Sequence, residues 1–369
     1  MLTRERSQTR ARQSLPLQRI LLLGLLPLGD TLFALPTIQA LRARYPQAHI
    51  TTLARLATAP LLRHVPSLDS VAVFPPPGNR IALPDVVSRL RQWRFDVAVN
   101  FTSPAYSWIG WACGIRKRTV MKFDPLWWLM PGDHARWRSM HAAQHYYECA
   151  DELDLPPWVS VTHVPHIALS AEAHEAAKSF LAGHGVMWGA RPIIAMHAGG
   201  AWLGGLKRWP AARFALLAHL LQRLYGARIV LLGDSSDTQL VGEIATPTDE
   251  RTIDAAGKLP LPVSLALIAA CDLFIGNDSG LLHAAAALGT PYVGLLGPTS
   301  PTNYSPLARY PDQGILVTPV KPCRMPHYFV GGAPLWRLPC CHGTCRALND
   351  IPAEVVLHRS VELLQKSHV

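Results

Sequence analysis

Three stretches of the chain carry residues whose types and spacing could do chemistry. The first, Gly24-Leu25-Leu26-Pro27-Leu28-Gly29-Asp30-Thr31, has the glycine spacing of a phosphate-binding P-loop. The lysine of that motif is replaced by Asp30, which repels a phosphate, and Pro27 removes a backbone donor from the cradle. A nucleotide does not belong here. Two roles remain for Asp30. At the carboxyl end of a central strand it faces the crevice where open sheets bind ligands, and a lone carboxylate there suits a general base. It could equally cap a helix that begins at Thr31. The loop alone favours the cap.

The second stretch is Gly276-Asn277-Asp278-Ser279-Gly280-Leu281-Leu282-His283. It joins an apolar strand to a helix, and free N–H groups with the helix dipole make such a junction an anion site. Gly280 lets a ligand approach the backbone and Ser279 adds a hydroxyl. Asp278 cannot face a diphosphate comfortably, so it is expected to accept a sugar hydroxyl or orient an amide. His283 lies four residues after Ser279, on the same helix face. The third stretch runs from Gly199-Gly200 to Lys207-Arg208-Trp209-Pro210. It is a glycine loop delivering two cations just ahead of a helix, suited to gripping a leaving diphosphate. Either stretch alone could be an ordinary cap or a solvated loop. Together they read as one anion site.

These loops need strands behind them. Short apolar runs at 20–26, 49–53, 71–74 and 96–100 read as strands, and 31–45 reads as a helix closed by Pro46. The pattern is lost between 104 and 147. A second series has strands at 192–197, 227–232, 251–254, 273–275 and, last, 292–296. Its helices fall at Ala211–Tyr225, 263–270 and 281–288. Asp350 can cap a final helix over 351–365. Strands alternating with helices of this length imply parallel βαβ units. The expected class is α/β, with two Rossmann-like halves facing a cleft and a boundary within 156–190.

Composition narrows the classes. The chain has 369 residues, 49% hydrophobic and 16% charged, enough apolar material for two cores and too much for intrinsic disorder. No apolar run approaches the ~18 residues that span a bilayer. The formal net charge of +10 favours an anionic partner: a nucleic acid, a phosphorylated metabolite or an acidic membrane surface. Arg4, Arg6, Arg10, Arg12 and Arg19 precede a short apolar run, the outline of a signal peptide, but no small-residue cleavage site follows. The expectation is a basic tail, then a buried strand, in a cytoplasmic protein. Cys323, Cys340, Cys341 and Cys345 cluster around His342, without the spacing of a standard zinc site. They read as reduced structural thiols. Trp108, Trp111, Trp127, Trp128 and Trp137 are interleaved with Arg116, Lys117, Arg118, Lys122, Arg136 and Arg138. Aromatics with cations could bind single-stranded nucleic acid, but no nucleic-acid motif accompanies them. Buried tryptophans with surface charges are the plainer reading for at least half of them.

The residues in order resemble the bacterial lipopolysaccharide heptosyltransferases, glycosyltransferase family 9, from Arg19 to the C-terminus. The resemblance rests on Leu28-Gly29-Asp30-Thr31-Leu32 with Pro36, on Ala40-Leu41-Arg42 and Tyr45-Pro46, and on His197-Ala198-Gly199 with Lys207-Arg208-Trp209-Pro210. It continues in Leu231-Leu232-Gly233 and is strongest at Gly276-Asn277-Asp278-Ser279-Gly280 with His283, Leu288-Gly289-Thr290-Pro291 and Gly297-Pro298-Thr299. It implies the GT-B fold. The corresponding division is a basic tail (1–18), an acceptor-binding domain (19–185), a nucleotide-sugar-binding domain (186–348) and a C-terminal helix (349–369). It implies inverting transfer of a heptose from ADP-heptose to the Kdo/heptose inner core, without metal or further cofactor. Asp30 then matches the base, Lys207 the phosphate contact, and Gly199, Gly200, Asp278, Ser279, Gly280 and His283 the donor site. The acid meeting the ribose corresponds to Asp234 or Asp237. One branch that glycosylates proteins carries an iron site near such cysteines.

The acceptor this implies is a lipid-linked anionic saccharide, with peripheral contact at the cytoplasmic leaflet of the inner membrane. The segment 108–138 would make that contact. The other readings are a family-9 enzyme with a different nucleotide-sugar or a protein acceptor, and a nucleic-acid-binding protein. A sugar-nucleotide epimerase would need a carboxylate pair beside the donor, and the chain offers none that can be identified.

Overall fold

A computed structural model describes residues 17–74, 82–102, 106–120, 140–189, 192–200, 207–248, 250–320 and 346–366. Two sheets, parallel throughout, organise them. The first holds β1 (Arg19–Gly24), β2 (His49–Ala54), β3 (Ser70–Val73), β4 (Val97–Asn100) and β5 (Lys117–Val120), in the order β3-β2-β1-β4-β5. The second holds β6 (Ile193–His197), β7 (Arg228–Leu231), β8 (Thr252–Asp254), β9 (Leu273–Asn277), β10 (Tyr292–Leu295) and β11 (Gly314–Val317), in the order β11-β10-β9-β6-β7-β8. Counted from its own first strand, each sheet is wound 3-2-1-4-5, and the second adds a sixth strand. This is the doubly wound order, with a reversal between the first and fourth strands where ligands bind. The central strands are apolar and buried on both faces, as parallel sheets covered by helices require.

The helices are α1 (Leu28–Arg44), α2 (Ala59–Leu62), α3 (Ala82–Gln92), α4 (Ser107–Ala112), α5 (Ala142–Glu148), α6 (Ala171–Gly183) and α7 (Ala211–Tyr225). They continue with α8 (Thr238–Ala245), α9 (Leu261–Ala270), α10 (Gly280–Leu288), α11 (Pro301–Tyr304), α12 (Arg346–Asn349) and α13 (Ala353–Lys366). α1 packs against α10, so the two halves share an apolar interface. One core cluster runs from Ile20 and Leu35 through to Leu265 and Leu282. α6 lies on α9, and α13 lies on α7, β9 and β10.

Several expectations need correction. The first strand ends at Gly24, and the helix begins at Leu28 instead of Thr31. Pro27 occupies the cap position because its missing N–H costs nothing there. The segment 104–147, where the sequence pattern is lost, nevertheless holds α4, β5 and α5. These elements are too short for a helical period to show, and β5 is a charged edge strand. The strand at 292–295 is not the last, since β11 follows it at the sheet edge.

Candidate active site

Sheet winding alone places the chemistry. Asp30 follows β1, Lys207 follows β6 and Asp278 follows β9, all central strands. In the second sheet His197 is in register with Gly276, so the loops carrying Lys207 and Asp278 leave it side by side.

α1 and α10 then meet almost end to end. A Cβ at Gly280 would fall 2.6 Å from the Cβ of Leu28, and one at Gly29 would fall 3.0 Å from Cδ2 of His283. Glycine at both positions permits the approach. Neither helix has a side-chain cap. The hydroxyl of Ser279, which stands at the N-cap of α10, is engaged with Nδ1 of His197 at 2.9 Å instead. An uncapped N-terminus of this length offers its first N–H groups and its dipole to an anion.

Asp30 sits in the first turn of α1, and its carboxylate takes no part in capping. Oδ1 accepts the Tyr146 hydroxyl at 2.7 Å. Burial raises its pKa, opposed by the Tyr146 hydrogen bond and by the charges of Lys207 and His283; Asp278 adds to the rise. A carboxylate poised upward from its ordinary value is the better base near neutral pH. The bond to Tyr146 and the absence of a side-chain cap on α1 set aside the capping role for Asp30.

Asp278 is buried, with a side chain 4% exposed. Its Oδ2 receives Lys207 Nζ at 2.6 Å and the Thr299 hydroxyl at 2.7 Å, and its Oδ1 lies 3.3 Å from His283 Nε2. Burial alone would push the carboxyl up, but Lys207 and His283 outweigh it and hold it well below the ordinary range. The partner that its sequence neighbours do not reveal is a lysine 71 positions away. Its carboxylate holds the lysine in place.

Lys207 is anchored from behind as well. Trp209, 1% exposed, gives its backbone N–H to Asn277 Oδ1 at 3.0 Å and its indole N–H to the Ile351 carbonyl at 3.0 Å. Asn277 Nδ2 in turn donates to the Ala198 carbonyl at 2.7 Å. The Lys207 ammonium lies 5.8 Å from the Tyr304 ring centre, within cation–π reach. The second cation of the loop, Arg208, goes elsewhere: it pairs with Asp237 Oδ1 at 3.3 Å.

Gly200 has φ +123°, a conformation only glycine adopts readily, and a Cβ at Gly199 would collide with the Asp237 carboxylate. Asp237 is buried between His197 and Arg208. Burial would raise its pKa, yet the His197 hydrogen bond and these charges hold it low. Asp234 accepts the Ser236 N–H at 2.7 Å and N-caps the turn that Asp237 closes. Of the two acids put forward for the ribose, both have structural duties in this state.

The structure thus brings Asp30, Lys207, Asp278, Ser279, Gly280 and His283 into one locus. Gly199 and Gly200 begin its loop, whose residues 201–206 lie outside the described residues. Sequence reading missed Tyr146, Thr299, Tyr304 and His197 as site residues. His197 and Thr299 carried a signal, since both fall in the quoted motifs; Tyr146 and Tyr304 had none. Cys323, Cys340, Cys341 and Cys345 lie outside the described residues. Among those described, no group of three His, Cys, Asp or Glu side chains could hold a metal ion.

Comparison with known proteins identifies the family of the chain. A family model, glycosyltransferase family 9 (heptosyltransferase), matches residues 86–325. The chain is 30% identical over 302 residues to lipopolysaccharide heptosyltransferase 2 of Escherichia coli strain K12, covering 79% of this chain and 86% of the relative. Its fold is similar to the solved structure of E. coli ADP-heptose LPS heptosyltransferase II, with TM-score 0.75 and 26% identity over 95% of this chain and all of that one. It is also similar to a family 9 glycosyl transferase from Veillonella parvula DSM 2008, with TM-score 0.79 and 26% identity over 96% and 99%.

Proposed function

The chain belongs to glycosyltransferase family 9 and is a glycosyltransferase, and from that premise we propose that it transfers a heptose from ADP-heptose, with inversion, to the inner core of lipopolysaccharide. The carrying observation is the juxtaposition at the two sheet reversals. A carboxylate after the central strand of the first sheet and a lysine after that of the second stand where two uncapped helix N-termini abut.

Asp30 takes the proton of the acceptor hydroxyl as the oxygen attacks the anomeric carbon. The bond from that carbon to the ADP oxygen breaks on the opposite face, and ADP departs with the electron pair. Lys207 and the N–H groups opening α10 stabilise the growing diphosphate charge. Relatives named for this reaction on lipopolysaccharide and lipooligosaccharide support the reading. Calorimetric titration tests the donor side: ADP saturates the protein at lower concentration than UDP, and an oligonucleotide does not compete. Tighter binding of UDP would point to another nucleotide-sugar, and competition by the oligonucleotide to a nucleic-acid ligand.

The lipid-linked acceptor requires the enzyme to work at a membrane surface. Among the described residues no helix is long and apolar enough to cross a membrane. α4 instead turns Trp108 and Trp111 outward, 41% and 73% exposed, while Ile109 anchors it to the core of the first half. Exposed Arg116, Lys117 and Arg118 follow directly. Trp127, Trp128, Trp137, Lys122, Arg136 and Arg138 lie outside the described residues. Interfacial tryptophans beside cations suit an anionic headgroup layer. Replacing Trp108 and Trp111 with Ala, and Arg116, Lys117 and Arg118 with Ser, is expected to lower co-sedimentation with anionic vesicles by ~10–100-fold at low salt. ADP affinity should survive. Equal pelleting of variant and wild type would remove this face from membrane contact.

A further inference from the structure

Tyr146 reaches the base from within the first half of the molecule. It belongs to α5, which packs along α1, and its ring is buried edge-on against Phe101 with centroids 6.1 Å apart. Its hydroxyl donates to Asp30 Oδ1 at 2.7 Å. That bond spans 116 positions of sequence, so it exists only because the tertiary fold builds it.

The start of α5 is fixed by the opposite half. His141 caps the helix, its Nδ1 accepting the Ala143 N–H at 3.2 Å, so Nε2 carries the proton and donates to the Ser305 carbonyl at 2.8 Å. Burial holds the His141 pKa down at about 4, which keeps the ring neutral and able to accept. Asn303 Nδ2 donates to the Met140 carbonyl at 2.7 Å. Asn303 lies in α11 beside Tyr304, whose ring faces Lys207. One short helix therefore touches the lysine of the donor site and grips the helix that reaches the base.

Resting on the reading of Asp30 as base, we infer that Tyr146 is a positioning residue for this reaction: its hydroxyl holds Oδ1 so that Oδ2 faces the acceptor. Burial and the neighbouring Asp30 charge push the phenol well above its ordinary pKa, so it remains a donor at every working pH. The charged and titratable groups facing Asp30 are Tyr146 from α5, Lys207 from the loop after β6, His283 from α10 and Asp278 from the end of β9. Tyr146, Lys207 and His283 favour the carboxylate form, and Tyr146 is the one among them that leaves the donor site untouched.

The sign of its effect follows. A hydrogen bond donated to the ionised form stabilises that form. Deleting the hydroxyl raises the Asp30 pKa, so the base is lost to protonation at a higher pH. Tyr146→Phe is expected to reduce kcat by about 10- to 100-fold, as a misplaced catalytic group does. It should move the acid limb of the kcat/KM profile to higher pH and leave ADP affinity unchanged. A purely packing role would lower kcat and leave the limb in place. Where turnover is too slow to follow, infrared titration of the carboxyl stretch, with Asp30→Asn as the blank, reads the same pKa directly. An acid limb or infrared midpoint unmoved from wild type would overturn the inference. Near-full turnover by Asp30→Asn would instead overturn the reading it rests on, and the two failures are told apart by which variant shows them.

Discussion

Asp30→Asn lowers turnover by ~10²–10⁴-fold, the usual cost of a positioned base, and leaves ADP affinity close to that of wild type. Asn keeps the shape of the side chain and can still accept from Tyr146, so the loss isolates basicity from packing. The donor should be indifferent because Asp30 belongs to the first half, while the anion-binding loops belong to the second. Activity does not fall to nothing, since Lys207 and the N-terminus of α10 still stabilise departing ADP. Initial rates at saturating donor, with calorimetry of ADP on the same preparation, check both halves of the expectation. A variant turning over at near wild-type rate would remove Asp30 from the mechanism.

Lys207→Ala is expected to weaken both ADP binding and turnover, with kcat down by ~10²–10³-fold. The ammonium stabilises diphosphate in the bound donor and more so as the charge grows on departure. It also neutralises buried Asp278 at 2.6 Å. Removing one partner of such a pair destabilises by ~3–5 kcal/mol, so urea unfolding should move together with activity. Thr299 and His283 still contact that carboxylate and soften the loss. Lys207→Arg should restore stability better than rate, because a planar fork cannot reproduce the point contact of an ammonium. Unchanged ADP affinity in the alanine variant would show that the lysine does not touch the phosphates.

How much of this was legible in the chain depended on the range of the interactions involved. α7 was read at its true bounds, because Gly226 closes it in the left-handed conformation and an apolar face repeats through it. The two glycine loops were read as one anion site because both lie directly after apolar strands. The pairing of Lys207 with Asp278 was not legible. The two residues are 71 positions apart, and only the strand order that sets β6 beside β9 brings them together. Asp30 was visible as a lone carboxylate, but its immediate neighbours suit a cap as well as a base. The residue that distinguishes the roles is Tyr146, in a stretch where no periodicity shows. β5 escaped because two of its four residues, Lys117 and Arg118, are charged, as only an exposed sheet edge allows, and β11 because it is a partly exposed edge strand reached through a proline turn.

In the proposed reaction an acceptor hydroxyl, deprotonated by Asp30, displaces ADP from the anomeric carbon of a heptose. Offering the protein ADP-heptose with inner-core acceptors bearing Kdo, or Kdo and one heptose, tests it most directly. The product is weighed by mass spectrometry and its new anomeric configuration is read by NMR. The expected product is heavier by one heptosyl unit and of configuration inverted relative to the donor, with ADP released in equal amount, and Asp30→Asn forms it ~10²–10⁴-fold more slowly. Transfer with retained configuration, hydrolysis of the donor without a glycosylated product, or transfer only from a different nucleotide-sugar would contradict it.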